Sequence, residues 1–295
     1  MAQSRKSNRP TLLDRVADIV FRAVLGLGHA LPYRWRVPLT GAFVAHIAAP
    51  LAGYRRRVRD NLAKVMPDLP AAEAAALARA VPDNLGRTMA EIYSGAEFVD
   101  RVRDIPLEGD GVAALLEARE AKRPVVLVTG HFGNYDVARA ALIARGFRVG
   151  GLYKPMRNPL FNAHYIKAIS ALGTPLFPRG KQGLVDMVRF LKSGGMLGLV
   201  VDQHVGHGAP LTFFGETAYT STSAAELALK YDALLLPIYG IRQKNGLDFR
   251  ILVEAPIAPD TPEAMTQALN DNLEQLVRRH MAQWFWVHRR WKNGI

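Results

Sequence analysis

His131 is followed five residues later by an acid, in the run Gly130-His-Phe-Gly-Asn-Tyr-Asp136. An imidazole is the side chain whose ordinary pKa lets it take up and release a proton near neutral pH. A carboxylate accepting from one ring nitrogen fixes the tautomer and leaves the other nitrogen free as a general base, the arrangement that activates a hydroxyl. The four-residue gap brings Asp136 back over one helical turn toward the ring. The same spacing also arises without chemistry: Asn134 could cap a helix while Asp136 merely favours its dipole. Asp202, in Asp202-Gln-His-Val-Gly-His207, is the other acid able to reach the imidazole, and the residues alone leave that choice open. Lys154 and Arg157 lie in Tyr153-Lys-Pro-Met-Arg-Asn-Pro159, and Arg179 opens Arg179-Gly-Lys-Gln-Gly183, cation–glycine turns suited to a phosphate or another anion. With Asn134 they form the candidate substrate-binding set. His204 and His207 have a spacing that could suggest zinc, but no thiol accompanies them and a metal site is not expected.

These side chains need a scaffold that gathers them. Val125 to Val128 form a β-branched apolar run, the pattern of a strand buried on both faces of a parallel sheet. A helix over 134–145 follows, closed by Gly146. Strands over 147–153, 174–177 and 196–202 alternate with helices over 159–172 and 181–193. A helix over 222–231 is expected from the capping box Ser223-Ala-Ala-Glu226, then strands over 234–241 and 248–253 around the Lys244-Asn-Gly246 turn. Such alternation predicts an α/β fold with a central, mostly parallel sheet flanked by helices. His131, Lys154, Arg157, Arg179 and Asp202 all fall at or just beyond strand ends, where open α/β sheets place their ligands.

The chain has 295 residues and a formal net charge of +12. Residues 1–60 hold eleven Lys/Arg and three Asp/Glu, and residues 278–292 hold five basic residues and no acid, so the middle is close to neutral. Charge confined to the two ends argues for an anionic surface as partner and against nucleic acid. The absence of cysteine excludes a disulfide framework and thiolate metal sites. Residues 11–31 read as an amphipathic helix, and 37–54 are almost wholly apolar before Arg55-Arg-Arg-Val-Arg59. Eighteen helical residues reach roughly 27 Å, marginal for a hydrocarbon core of about 30 Å. Residues 1–60 are therefore expected as a helical anchor lying in the interface of an anionic leaflet, with the catalytic unit over 61–295. Prolines 67, 70 and 82 are expected to break the helical stretch 56–100. The aromatic, basic ending could sit at headgroups or pack on the core.

Taken together, Arg55-Arg-Arg-Val-Arg-Asp-Asn-Leu62, Gly130-His-Phe-Gly-Asn-Tyr-Asp136, Lys154-Pro-Met-Arg-Asn-Pro159, Arg179-Gly180, Asp202-Gln203, Phe213-Phe-Gly215 and Trp286-Val-His-Arg-Arg-Trp-Lys292 resemble the bacterial lipid A biosynthesis acyltransferase family. The resemblance covers nearly the whole chain. It implies a glycerolipid acyltransferase-like α/β fold on the cytoplasmic face of the bacterial inner membrane. It implies a fatty acyl thioester as co-substrate, on acyl carrier protein or coenzyme A, with no other cofactor, and a hydroxyl of an anionic membrane lipid as acceptor, a lipid A precursor first among them. Under that reading His131 is the base, Asp136 or Asp202 orients it, and Arg179, Lys154 and Arg157 bind phosphate or steady the oxyanion. Many members carry glutamate where this chain has Asp136, whereas relatives that acylate mannosylated phosphatidylinositol share the aspartate form. Transfer to another phospholipid or glycolipid, or a catalytically silent lipid-binding protein, are the alternatives.

Overall fold

The computed structural model describes residues 10–292. The described chain opens with the helices α1 (Leu12–His29), α2 (Tyr33–Phe43), α3 (Ala49–Leu51), α4 (Tyr54–Val65) and α5 (Ala71–Tyr93). After α6 (Ala96–Val102), β1 (Leu107–Glu108) and α7 (Val112–Glu120) come β2 (Val125–Thr129), α8 (Val137–Ala144), β3 (Val149–Tyr153), α9 (Pro159–Leu172), β4 (Leu176–Pro178), α10 (Lys181–Lys192) and β5 (Met196–Val200). A hairpin of β6 (Ala209–Phe213) and β7 (Glu216–Thr220) leads to α11 (Ser223–Lys230), β8 (Leu234–Arg242), β9 (Phe249–Val253) and α12 (Pro262–Arg279). The main sheet has seven strands in the order β1-β9-β8-β2-β5-β3-β4, parallel except where β9 runs against β8. The expected α/β architecture is therefore what the chain adopts.

Alternation along β2 builds the layers. Val125 and Leu127 face one core with Leu236 and Ile238 of β8, packed by α5 to α9. Val126 and Val128 face the other with Leu235, packed by α10, α11 and α12. All five β2 residues are buried, as a strand with helices on both faces requires. A third cluster caps the site end of the sheet, where Val58 and Leu62 of α4 and Val81 of α5 meet Phe132, Tyr239 and a run of aromatic side chains from the hairpin and the C-terminus.

Three local expectations change. Pro67 and Pro70 do separate α4 from α5, but Pro82 is buried inside the continuous helix α5. An internal proline costs a helix about 3 kcal/mol, and here the packing of α5 on α2 and α4 outweighs it. The capping box at Ser223 does not form; Thr222 stands at the N-cap, and its hydroxyl donates to Glu226 Oε1. The boundary expected at residue 60 falls within α4, whose Val58 and Leu62 are buried against the body of the protein. A π turn, Val44–Ala48, joins α2 to α3. Among the described residues no single helix is long and apolar enough to cross a membrane; the segments Tyr33–Leu51 and Tyr54–Val65 meet that test only together and are bent by 84°.

Candidate active site

The register of the central strands brings the imidazole and its acid together. Thr129 of β2 pairs with Val200 of β5 in parallel, and two residues further on stand His131 and Asp202. His131 Nδ1 lies 2.7 Å from Asp202 Oδ1, and the His131 backbone N–H donates to Asp202 Oδ2 at 2.8 Å. Trp284 Nε1 donates to the same Oδ2 at 2.8 Å. Burial pushes the Asp202 carboxyl up, but the His131 ring, the His131 amide and the Trp284 indole outweigh it and hold the acid below its ordinary value. An ionised carboxylate only accepts hydrogen bonds, so Nδ1 carries the proton and Nε2 is the basic nitrogen. No described residue engages Nε2.

Asp136, the acid expected first to orient the ring, is placed elsewhere. It is buried and pairs with Arg139 Nε at 2.8 Å, while the same guanidinium donates to the carbonyls of Gly173 and Ile169. The pair pins α8 to the end of α9. Of the two acids the sequence left open, the structure brings Asp202 to the imidazole.

The loop carrying His131 is clamped by α5. Thr88 Oγ1 and Asn84 Nδ2 donate to the Gly133 carbonyl at 2.9 and 3.1 Å, and the Gly133 N–H donates to the Gln283 carbonyl at 2.9 Å. Gly133 has φ +54°, and a Cβ there would stand 1.9 Å from the Gly240 carbonyl oxygen, so only glycine fits. Asn134 is fully buried; its amide donates to Glu91 Oε2 at 2.9 Å and accepts from the Asp136 N–H at 3.0 Å. Glu91 is held in turn by Arg242. Asn134, counted among the substrate-binding candidates, thus braces the loop from inside and does not line the cleft. The amides of Phe132, Gly133 and Asn134 already donate to the Gly130, Gln283 and Gly240 carbonyls, so none of the three is available to an oxyanion.

The His131 ring packs against two aromatic residues, Tyr135 edge-on at 5.3 Å and Phe285 tilted at 5.8 Å between ring centroids. Burial holds the Tyr135 hydroxyl protonated, well above its usual range. Beside the imidazole a cavity of about 210 Å³ is walled by Val81, Leu85 and Thr88 of α5 and by Tyr135, Trp284 and Phe285. Neither Trp284 nor Phe285 had been assigned to the site by the sequence. Trp284 and Trp286 are almost wholly buried and meet at 4.8 Å, with Trp286 against Phe214 of the hairpin, so the aromatic ending packs on the core.

The expected cations occupy the same rim but at a distance. Lys154 and Arg157 follow β3 and Arg179 follows β4, and all three are exposed. β3 is the second and β4 the third strand from β2, so at about 4.8 Å per strand their backbones start roughly 10 and 14 Å away. They do not line the cavity beside His131 and do not touch the dyad. Among the described residues no group of three His, Asp or Glu side chains could hold a metal ion.

Comparison with known proteins matches the sequence to a family. A phosphatidylinositol mannoside acyltransferase of Mycolicibacterium smegmatis is 24% identical over 97% of this chain and 94% of its own length. A protein of the same name from Mycobacterium tuberculosis is 25% identical over 81% of this chain and 78% of its own. A lipid A biosynthesis acyltransferase of Haemophilus influenzae is 21% identical over 87% and 81%. Residues 6–293 match the family described as bacterial lipid A biosynthesis acyltransferase, and with a match over nearly its whole length the chain belongs to that family of lipid acyltransferases.

Proposed function

We propose that this chain transfers a fatty acyl group from a thioester, on acyl carrier protein or coenzyme A, to a hydroxyl of a membrane glycolipid. The observation that carries the reading is the His131–Asp202 pair at 2.7 Å, with Nε2 left open beside an apolar cavity. Nε2 takes the proton of the acceptor hydroxyl as its oxygen attacks the thioester carbonyl carbon. The buried carboxylate steadies the imidazolium that forms. As the tetrahedral adduct collapses, the carbon–sulfur bond breaks and the imidazolium returns the proton to the leaving thiolate. The new ester bond replaces the thioester, and the enzyme ends in its starting protonation state. A thioester is already activated, so acid–base help at one imidazole suffices.

A glycolipid acceptor unites the names of the relatives, which speak of lipid A and of phosphatidylinositol mannoside; the lipid A precursor is the acceptor expected from the sequence. Work at a lipid surface, which the family resemblance puts at the cytoplasmic face of an inner membrane, is supported as membrane contact by the surface of the first helices. Trp35, Leu39, Phe43, Ile47 and Leu51 are each about half exposed or more, at intervals of four. In a straight α-helix that interval drifts about 40° per step, and the wider turn at Val44–Ala48 sets back part of the drift, keeping one apolar stripe. Arg55 to Arg59 follow it, suited to anionic headgroups.

The test is turnover by the purified full chain on mixed vesicles, with acyl thioesters of carrier protein and of coenzyme A offered separately. His131→Ala should lose about 10²–10⁴ in turnover, the usual worth of a general base, with vesicle binding unchanged. Undiminished acyl transfer by that variant would refute the assignment.

A further inference from the structure

The basic ends of the chain, far apart in sequence, close around one cavity. A hollow of about 340 Å³ is lined by Tyr54 and Arg57 of α4 and by Phe285, Val287, His288, Arg289 and Lys292 of the C-terminal segment. Three of those seven residues are cationic and none is acidic. Arg57 is half-buried over the Tyr54 ring at 5.7 Å, and Arg289 and Lys292 are exposed at the mouth. Among the described residues none of the three makes an ion pair, although Arg56, the neighbour of Arg57, pairs with Asp60. Like charges gathered round one hollow repel one another, a cost that an anion inside removes. Guanidinium groups grip phosphate oxygens in pairs and an ammonium adds a point charge, so the set suits a phosphate better than a single carboxylate.

His288 adds a neutral polar wall. Its Nε2 accepts from the His204 backbone N–H at 2.9 Å, which leaves the ring proton on Nδ1. Burial pushes its pKa down to about 4; Asp202 acts against that, and His131, Arg290 and Lys292 act with it. Phe285 places the hollow beside the active site, since it lines both cavities and its ring lies 5.8 Å from that of His131.

We infer that the hollow bounded by Arg57, Arg289 and Lys292 holds a phosphate ester of a substrate while the reacting group lies across Phe285 at His131. The inference rests on the acyl-transfer reading for its purpose but not for its measurement. A phosphate one aromatic ring from the base suits the acceptor headgroup, whose phosphate is near its sugar hydroxyls. The pantetheine arm of a thioester donor puts its phosphate many bonds from the sulfur, and coenzyme A would reach the hollow only from further along the cleft.

The test is equilibrium dialysis of labelled pyrophosphate against the full chain, needing no turnover. The wild type should bind one equivalent saturably, and the combined variant Arg57→Gln, Arg289→Gln, Lys292→Gln should bind at least tenfold more weakly. A charge-matched control, Arg56→Gln, Arg103→Gln, Arg189→Gln, removes three exposed cations elsewhere and should bind as the wild type does. Circular dichroism melts establish that all the proteins are folded. Vesicles with phosphatidylglycerol in phosphatidylcholine should displace pyrophosphate, assigning the hollow to the acceptor lipid, whereas displacement by coenzyme A alone would assign it to the donor. Absence of pyrophosphate binding, equal loss in the charge-matched control, or displacement by neither competitor would overturn the inference. His131→Ala should bind pyrophosphate as the wild type does, and a wild-type enzyme that binds pyrophosphate but transfers no acyl group from either thioester would sink the acyl-transfer reading and leave this site standing.

Discussion

Replacing Asp202 by Asn changes one atom and tests the dyad directly. The carboxylate accepts three donors, with Oδ1 facing His131 Nδ1 and Oδ2 facing both the His131 amide and the Trp284 indole. Asparagine offers one oxygen and one NH₂ group. With its oxygen toward Nδ1, the NH₂ would confront two fixed donors, each left unsatisfied at about 1–3 kcal/mol. With its oxygen toward those donors, the NH₂ confronts Nδ1 alone, and a shift of the ring proton to Nε2 relieves the conflict. The second arrangement wins by roughly two lost hydrogen bonds, less the cost of the tautomer shift. It puts the proton on the nitrogen that must act as base. Turnover should then fall by about 10²–10⁴, equivalent to about 2.7–5.5 kcal/mol in the barrier, with little change in KM. Nitrogen NMR of the His131 ring should show the proton moved from Nδ1 to Nε2. Asp136→Asn is the contrast: it breaks a buried pair with Arg139 and should cost about 3–5 kcal/mol in stability, while the folded fraction keeps kcat within about tenfold of the wild type. Wild-type turnover in Asp202→Asn, or a greater kcat loss in Asp136→Asn, would refute the reasoning.

Two further outcomes follow from the same geometry. His288 has its folded pKa lowered from 6.5 to about 4, so the unfolded chain binds more protons between those values and stability must fall as pH drops through that window. At about 1.4 kcal/mol per pH unit this amounts to about 3 kcal/mol, and in urea melts His288→Gln should flatten the dependence between pH 6.5 and 4; an unchanged slope would exclude His288 as its source. Exchanging Trp35, Phe43 and Leu51 together for serine leaves no cavity, because all three are exposed; each apolar side chain returned to water costs about 1.5–3 kcal/mol of membrane binding, so sedimentation with anionic vesicles should drop by at least tenfold with the melting temperature nearly constant. Full retention on the vesicles would move the lipid contact to another surface.

Strand patterning and punctuation made much of the architecture legible. The β-branched run before Gly130 could only be a strand buried on both faces, and the glycines and prolines around it marked the turns closely enough to place His131 and Asp202 at strand ends. The aspartate partner was the harder matter. Local spacing favoured Asp136, four intervening residues from the ring, because sequence distance is what a helix turn can be counted from. The pairing of β2 with β5 carried Asp202, seventy-one residues away, to the imidazole, and register between strands is a long-range property that no local pattern encodes. The same holds for Pro82, whose propensity reads as a break until the packing of α5 is known. Trp284 and Phe285 looked equally fit for headgroups or core, since an aromatic side chain suits both; only the closure of the C-terminal segment over β2 and β5 gives one the carboxylate and the other the imidazole. The sequence by itself determined the strands, the placing of His131 at a strand end and the basic character of the two ends. Tertiary structure alone decided which acid orients the ring and that both basic ends meet at one hollow, because those facts depend on neighbours joined by the sheet and not by the chain.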